Sequence, residues 1–343
     1  MERFQSYYAR MTAIGSYVPN RKLTNHDLEQ MVDTSDEWIV QRTGIRERRI
    51  SEPTQYTSDL CVAAVQDMMR RYNKSVQDVD MILVATSTAD FPFPSTASIV
   101  QAKLGISPAT GALDLSAACA GFVYALHTAH SFIASGLHRK ILVIGADALS
   151  KITDYTDRTT CVLFGDAAGA VLIEREEREE RHSFLSYHVT TEGEGGVHVY
   201  QTRIADRLHG VELQDTKLLV QNGREVFRWA LRTVPEGVKA VVGKSGLTLE
   251  NVDWFIPHSA NLRIIEPLCE RTGISMDRTL YSLEYFGNTS AASIPLALDL
   301  AVREQRVKPG DHALLYGFGS GLVQAGLVMR LQFDPQAEVP RPL

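Results

Sequence analysis

Asp114-Leu-Ser-Ala-Ala-Cys-Ala-Gly-Phe-Val-Tyr-Ala-Leu126 is the stretch on which the reading of this chain turns. It passes from small residues into an apolar pattern of helical period, which predicts a buried helix with Cys119 at its start. A thiol there faces unpaired N–H groups and the positive end of the macrodipole. Both favour the thiolate and predict a lowered pKa. Ala117, Ala118, Ala120 and Gly121 leave room for a ligand beside the sulfur. Taken alone the stretch leaves two readings open: a nucleophile, or a small apolar cysteine in a helix contact.

Working outward, the same pattern returns in the second half. Ser116-Ala-Ala-Cys119 matches Ser290-Ala-Ala-Ser293, Val79-Asp-Met-Ile-Leu-Val84 matches Val252-Asp-Trp-Phe-Ile-Pro257, and the strand-like 141–144 matches 313–316. Each match is weak, but all three keep their order and nearly the same offset. This predicts a duplicated α/β unit, with strands and helices alternating and a mixed, mostly parallel sheet in each half. Such sheets need helices on both faces. The halves are assigned to residues 1–178 and 179–343, joined where Glu174–Glu180 forms a run of seven charges. They are expected to pack through their Ser-Ala-Ala helices, with Cys119 in the first half where the second carries Ser293.

The pattern places further strands at 12–17, 79–85, 140–146, 251–257, 312–317 and 322–331. Residues 161–173 read as two strands around a Gly/Ala turn. Helices are predicted over 58–72 and 96–104, from 222 and from 287, and between His258 and Cys269. The 343 residues are 44% hydrophobic and 22% charged, with a net charge of −6. That balance disfavours nucleic acid and anionic membrane as partners. The segment Met1–Ser6 lacks the layout of a signal peptide, and no apolar run approaches the roughly 20 residues of a membrane span. Cys61, Cys119, Cys161 and Cys269 are scattered, which fits a reducing cytoplasm and predicts neither disulfides nor a metal site.

Two polar residues stand where strands end and helices begin. His258 follows an apolar strand, and Asn288 lies in Gly287-Asn-Thr-Ser290. Ligands of open α/β sheets bind at the carboxyl ends of strands. Each residue also has an ordinary reading, as a packed histidine and as a helix cap. With Cys119 they form a possible nucleophile, base and polar donor. Arg42-Thr-Gly-Ile-Arg-Glu-Arg-Arg49 holds four arginines in eight residues. It reads either as a solvated, salt-bridged loop or as a phosphate patch beside Trp38, an aromatic able to stack on a base.

An ordered set of motifs spans nearly the whole chain: Asp33-Thr-Ser-Asp-Glu-Trp-Ile-Val40, Arg42-Thr-Gly-Ile-Arg46, Ala117-Ala-Cys-Ala-Gly121, Phe164-Gly-Asp166, Pro257-His-Ser-Ala-Asn-Leu-Arg-Ile264, Gly287-Asn-Thr-Ser-Ala-Ala-Ser293 and Gly317-Phe-Gly-Ser-Gly321. With them the sequence resembles the thiolase superfamily and, within it, the β-ketoacyl-[acyl-carrier-protein] synthases III. The resemblance implies a five-layer α-β-α-β-α fold and a decarboxylative condensation of a short acyl-CoA primer with malonyl-acyl-carrier protein. It makes Cys119 the acyl carrier, and His258 and Asn288 the donors to the malonyl thioester. The oxyanion hole would combine Cys119 with the turn at Ser320. Coenzyme A would meet Trp38, Arg42 and Arg158, and its pantetheine Gly223 and Asn261. Phe93 and Phe318 would line acyl pockets, Phe93 that of a homodimer partner, and Arg228 and Arg263 would face the acidic carrier protein. Acyl-CoA is then a substrate, and no cofactor or metal is implied.

Neighbouring families fit less well. Elongating synthases resembling this chain carry a second histidine where Asn288 stands, and thiolases a second cysteine in the final glycine turn. Chain-length factors lose the nucleophile. A starter-unit or quinolone-type synthase is the alternative. Against the family pattern, Ser320 replaces a glycine, Leu322 an aromatic residue near the acyl pocket, and Glu270 a lysine on the carrier rim.

Overall fold

The computed structural model describes residues 7–338 and Leu343; Met1–Ser6 lies outside the described residues. A first sheet holds β1 (Tyr8–Tyr17), β2 (Met81–Ala85), β3 (Gly111–Leu115), β4 (Lys140–Ala148) and β5 (Asp166–Glu176), in the order β1-β5-β4-β2-β3. A second holds β6 (Phe184–Thr191), β7 (Trp254–Pro257), β8 (His312–Gly319) and β9 (Val323–Arg330), in the order β7-β8-β9-β6.

The helices that matter here are α1 (Asp36–Thr43), α2 (Thr57–Tyr72), α3 (Thr96–Lys103), α4 (Gly121–Ala134), α5 (Gly223–Lys244), α6 (Leu262–Thr272) and α7 (Ser293–Arg303). Side-chain caps fix several starts: Ser35 accepts from Trp38 N, Asn222 from Glu225 N and Asn261 from Ile264 N. Helices α2 and α3 cover one sheet, and α5, with α6 against it, covers the other. Helices α4 and α7 lie between the sheets and touch both, which completes five layers.

The duplication is visible in the strand registers. Met81 pairs with Ile141, and Trp254 pairs with Ala313, at the positions the sequence matches set against each other. The edge strand β3 of the first sheet has its counterpart in a single parallel bridge between Phe255 and Thr279. The Ser-Ala-Ala match is shifted by two residues, however. Short 3₁₀ turns, Ala118–Ala120 and Ser290–Ala292, lead into α4 and α7 and set the register. Cys119 therefore mirrors Ala291, and Ser293 mirrors Gly121. Runs of Ser and Ala look alike at several offsets, so sequence alone could not fix this one.

The sheets are also less parallel than expected. Pairs β2–β3, β2–β4 and β7–β8 are parallel, while β1–β5, β4–β5, β8–β9 and β6–β9 are antiparallel. The reason lies in the connections: β4 reaches β5, and β8 reaches β9, with no α-helix between, and a return without a crossover is antiparallel. Residues 161–173 form a loop and one strand rather than two strands, because the Ala168-Gly-Ala170 run pairs on both sides within β5.

Two glycines let the halves approach. A Cβ at Gly145 would lie 2.4 Å from Ala291 O, and one at Gly317 would lie 2.6 Å from Ala120 Cα. Each half's strand thus receives the other half's turn. Further out, a buried charge network ties α2 to α7: Arg71 reaches Asp299 at 2.5 Å, and Arg303 reaches Asp67 at 2.5 Å. Ser16 on β1 donates to Asp299 at 2.6 Å. Buried charges persist when paired in this way.

Candidate active site

The seam between the two turns opens into a cavity of about 630 Å³ lined by Cys119, His258 and Asn288, with Ser290, Phe318 and Gly319 beside them. Cys119 keeps a partly open face. Its S–H points to Ser290 Oγ at 3.5 Å. A Cβ on Gly319 would stand 3.0 Å from Cys119 Cβ and 3.2 Å from both its N and its Sγ. The bare backbone there leaves space at the sulfur and at the Cys119 N–H. The residue before it, Ala118, has φ of +45°, and Ser290 has φ of +50°. Non-glycine residues rarely occupy this region, and where they do they cluster at functional sites.

The thiol departs from the sequence expectation. Burial pushes it up to about 12, with the Asp147 charge adding to the rise and the Ser290 hydroxyl opposing it. The helix start was expected to lower it, but Cys119 lies inside the 3₁₀ turn Ala118–Ala120 that precedes α4, and desolvation of the sulfur outweighs the remaining dipole. Cys119 rests as a thiol.

His258 closes β7. Its N–H donates to Tyr316 O at 2.8 Å, and its Nδ1 shares a 2.8 Å hydrogen bond with Ser293 Oγ. Phe318 meets the imidazole edge-on at 5.4 Å. Burial pushes the imidazole down to about 3 and keeps it neutral. Asn288 is clamped by backbone bonds, donating to Leu163 O at 2.8 Å and accepting from Gly165 N at 3.0 Å. Its side-chain oxygen accepts from Ser290 N at 2.9 Å, which leaves its NH₂ for other partners.

The other sequence candidates fall into groups. Trp38 lies under two guanidinium groups, those of Arg42 at 5.8 Å and Arg158 at 5.0 Å. Arg158 also pairs with Asp33 at 3.4 Å. Helix α1, which carries Trp38, packs on α6, whose cap Asn261 lines the cavity. Gly223 opens α5 next but one to Gln221, another lining residue. Phe318 lines the cavity, and so does Ser320, whose hydroxyl donates to Val199 O at 2.6 Å. Phe93 stands outside the cavity of its own chain and is 86% exposed. Leu322 turns away and packs buried over Gly195, so its side chain does not line the cavity. Arg228 and Arg263 are exposed on α5 and α6, and Arg228 pairs with Glu225 at 2.8 Å. Glu270 is exposed on α6 as well.

Three participants in the geometry escaped the sequence reading. Ser290 and Ser293 counted as members of the repeat and of the Gly287–Ser293 motif, with no role of their own. Asp147 counted for nothing, although a carboxylate at the end of the apolar run Lys140-Ile-Leu-Val-Ile-Gly-Ala146 is itself a signal of buried polar work.

Comparison with known proteins points the same way. The sequence profile of 3-oxoacyl-[acyl-carrier-protein] synthase III matches residues 113–193, and that of the family's C-terminal part matches residues 242–331. The chain is 61% identical to a β-ketoacyl-[acyl-carrier-protein] synthase III of Halalkalibacterium halodurans, over 94% of this chain and 96% of that one. It is 55% identical to one from Bacillus subtilis, over 94% and 98%. Among solved structures, the Thermus thermophilus β-ketoacyl-[acyl-carrier-protein] synthase III superposes with a TM-score of 0.90 at 45% identity, covering 94% of this chain and 98% of the other. The chain therefore belongs to the 3-oxoacyl-[acyl-carrier-protein] synthase III family, thiolase-fold acyltransferases that carry out the initiating condensation of fatty-acid biosynthesis.

Proposed function

We propose that Cys119 carries the acyl group in this condensation, and that His258 and Asn288 bind the malonyl thioester. The observation that carries the reading is the meeting of a thiol, a neutral imidazole and an amide on one cavity, with the backbone of Gly319 bare beside the sulfur. The first half-reaction transfers a short acyl group from coenzyme A to Cys119. Trp38 stacks on the adenine, Arg42 and Arg158 hold its phosphates, and the pantetheine runs past Asn261 and Gly223 to the sulfur. The thiol attacks the thioester carbonyl. Its oxyanion rests on the Cys119 N–H and on the turn at Ser320, and coenzyme A leaves.

In the second half-reaction Arg228 and Arg263 receive the acidic carrier protein. The Ser293 hydroxyl donates to His258 Nδ1 and keeps the ring proton on Nε2. That N–H and the Asn288 NH₂ bond the thioester oxygen of the malonyl group. As CO₂ departs, charge grows on this oxygen, and oriented donors in a dry site are worth several kcal/mol there. A neutral histidine suits the role, since it donates without adding a buried charge. The enolate carbon then attacks the acyl-Cys119 carbonyl. We assign the enzyme to the cytoplasm as a homodimer in which Phe93 enters the partner's acyl pocket. Among the described residues no helix is long and apolar enough to cross a membrane.

The test separates the half-reactions. Intact-protein mass after incubation with short straight and branched acyl-CoAs should show one adduct on the wild type and none on Cys119→Ala. The adduct mass gives the primer's size class. Asn288→Ala should keep the adduct and lose release of CO₂ from malonyl-carrier protein by about 10²–10³-fold. A wild type that takes no acyl group from any acyl-CoA overturns the assignment.

A further inference from the structure

Two motifs stand out in the sequence, Arg42–Arg49 and Phe164-Gly-Asp166, yet the two half-reactions call on Arg42 alone among these residues. The structure brings the rest together at the segment that carries Asn288. Arg46 N donates to Glu284 O at 2.8 Å, and the Arg46 side chain pairs with Glu284 at 2.9 Å. The Arg49 guanidinium lies over the Phe286 ring at 5.6 Å. Between them Arg48, in the short strand Glu47–Arg49, is fully buried. Its Nη1 donates to Leu23 O at 3.1 Å and to Asn25 Oδ1 at 2.8 Å, and its Nη2 donates to Val162 O at 2.8 Å. All three acceptors are neutral, and Nε has no hydrogen-bond partner among the described residues. Burial pushes this guanidinium down to about 10, so it stays charged at neutral pH. A buried cation without a carboxylate is costly, and an apolar side chain would fill the same space at less cost.

What this cation grips is the support of Asn288. Leu163, next to Val162, accepts from Asn288 N at 2.8 Å, and Gly165 N donates back to Asn288 O at 3.0 Å. A Cβ at Gly165 or at Gly287 would lie 3.1 Å from Arg48 Cβ, so the glycines on both sides of this bridge rest on the arginine stem. At the far end of the strip, Asp166 Oδ2 accepts from Ser51 N at 2.8 Å. Residues 162–166 are thus pinned at one end by Arg48 and at the other by Asp166, with Asn288 bridged to the middle. From this geometry we propose that Arg48 is a positioning residue for the condensation: its fork fixes the 162–166 strip and, through it, the place of the Asn288 NH₂. The inference rests on Asn288 being a donor to the malonyl thioester. A lysine keeps the charge but not the planar fork that ties Val162 to Leu23 and Asn25. Acyl transfer to Cys119 does not use the Asn288 amide, so loosening the strip should tell on the second half-reaction alone.

Arg48→Lys, followed in both half-reactions, tests this. Intact-protein mass at saturating acyl-CoA reads the first, and release of CO₂ from malonyl-carrier protein reads the second. Acylation should stay within about threefold of the wild type while CO₂ release falls by about 10–100-fold, the scale of a donor displaced by about 1 Å. A merely structural role would lower both together, through the folded fraction that urea unfolding reports. In Arg48→Lys/Asn288→Ala, CO₂ release should lie within about threefold of Asn288→Ala alone, because the amide that Arg48 places is already gone. Unchanged CO₂ release in Arg48→Lys, an equal fall in both half-reactions, or losses that multiply in the double variant overturns the proposal. Should Arg48→Lys fail to fold, Asn25→Ala decides, since it removes one acceptor and leaves the guanidinium in place. It should lower CO₂ release by at least about threefold, the weight of one hydrogen bond, keep acylation, and add nothing to Asn288→Ala; full CO₂ release in that variant sinks the proposal. Full CO₂ release in Asn288→Ala itself would instead strike the Asn288 assignment on which the proposal rests.

Discussion

Two turns, Ala118–Ala120 and Ser290–Ala292, begin the two central helices and are copies of one design. Each follows a residue or starts at one with positive φ, and each presses on a glycine of the opposite half. What surrounds them differs. Ala291 N is capped by the Asp147 carboxylate at 3.2 Å. At the mirrored place Cys119 N faces Gly319, which has no side chain to offer. His258 bonds Ser293 at 2.8 Å, whereas the mirrored Ala85 touches Gly121, where a Cβ would stand 3.0 Å away. One turn has its three backbone N–H groups taken up by Asn288, Asp147 and Thr289 and supports the seam. The other is left with an unspent donor, a thiol and open space. A duplicated fold can thus keep one copy as scaffold and leave the other short of partners for a substrate to supply.

Filling the empty side should have the largest effect. In Gly319→Ala the new Cβ lies 3.0–3.2 Å from Cys119, so the turn gives way slightly and the oxyanion position closes. Acyl transfer should fall by about 10²–10³-fold, the cost of losing one oxyanion donor. Stability should change by about 1 kcal/mol. Single-turnover acylation beside urea unfolding reads both. An unchanged acylation rate would mean that the bare glycine has no part in the chemistry.

The sequence made the duplication legible because strand registers are set by hydrophobic runs, and Met81–Ala85 and Trp254–Pro257 kept theirs. The three cavity residues proposed for catalysis were legible for a related reason, since Cys119, His258 and Asn288 each sit at a strand or helix boundary. The contrast between the turns was not. It depends on which side chain meets which backbone across the seam, and Asp147 lies 144 residues from its partner Ala291. The thiol's acidity also misled, because a local rule about helix starts carries no information on how deeply the sulfur is enclosed.

The next test breaks the seam itself. Gly145→Ala sets a Cβ 2.4 Å from Ala291 O, and Gly317→Ala sets one 2.6 Å from Ala120 Cα. Backbone cannot swing aside as a side chain can, so each should destabilise the fold by about 3 kcal/mol. If the turns are equivalent supports, the two losses in urea unfolding should agree within about 1 kcal/mol. A large gap between them would show that one turn bears most of the contact.

The smallest effect tests the polar side of the comparison through pH. His258 is held down to about 3 and His130, stacked on Phe184, to about 4, both by burial. In the unfolded chain both protonate near pH 6.5. Between that pH and the folded values the unfolded state therefore binds more protons, so stability falls as pH drops below about 6.5. Each buried histidine steepens the fall by up to about 1.4 kcal/mol per pH unit. His258→Ala installs the residue that the mirrored position already carries. It should lower the urea midpoint at pH 7.5 through the lost packing, yet make the decline from pH 6.5 to pH 5 shallower than in the wild type. A decline of unchanged slope would mean that His258 already takes a proton in the folded state at these pH values, and a neutral donor to the malonyl thioester would then be the wrong description of this imidazole.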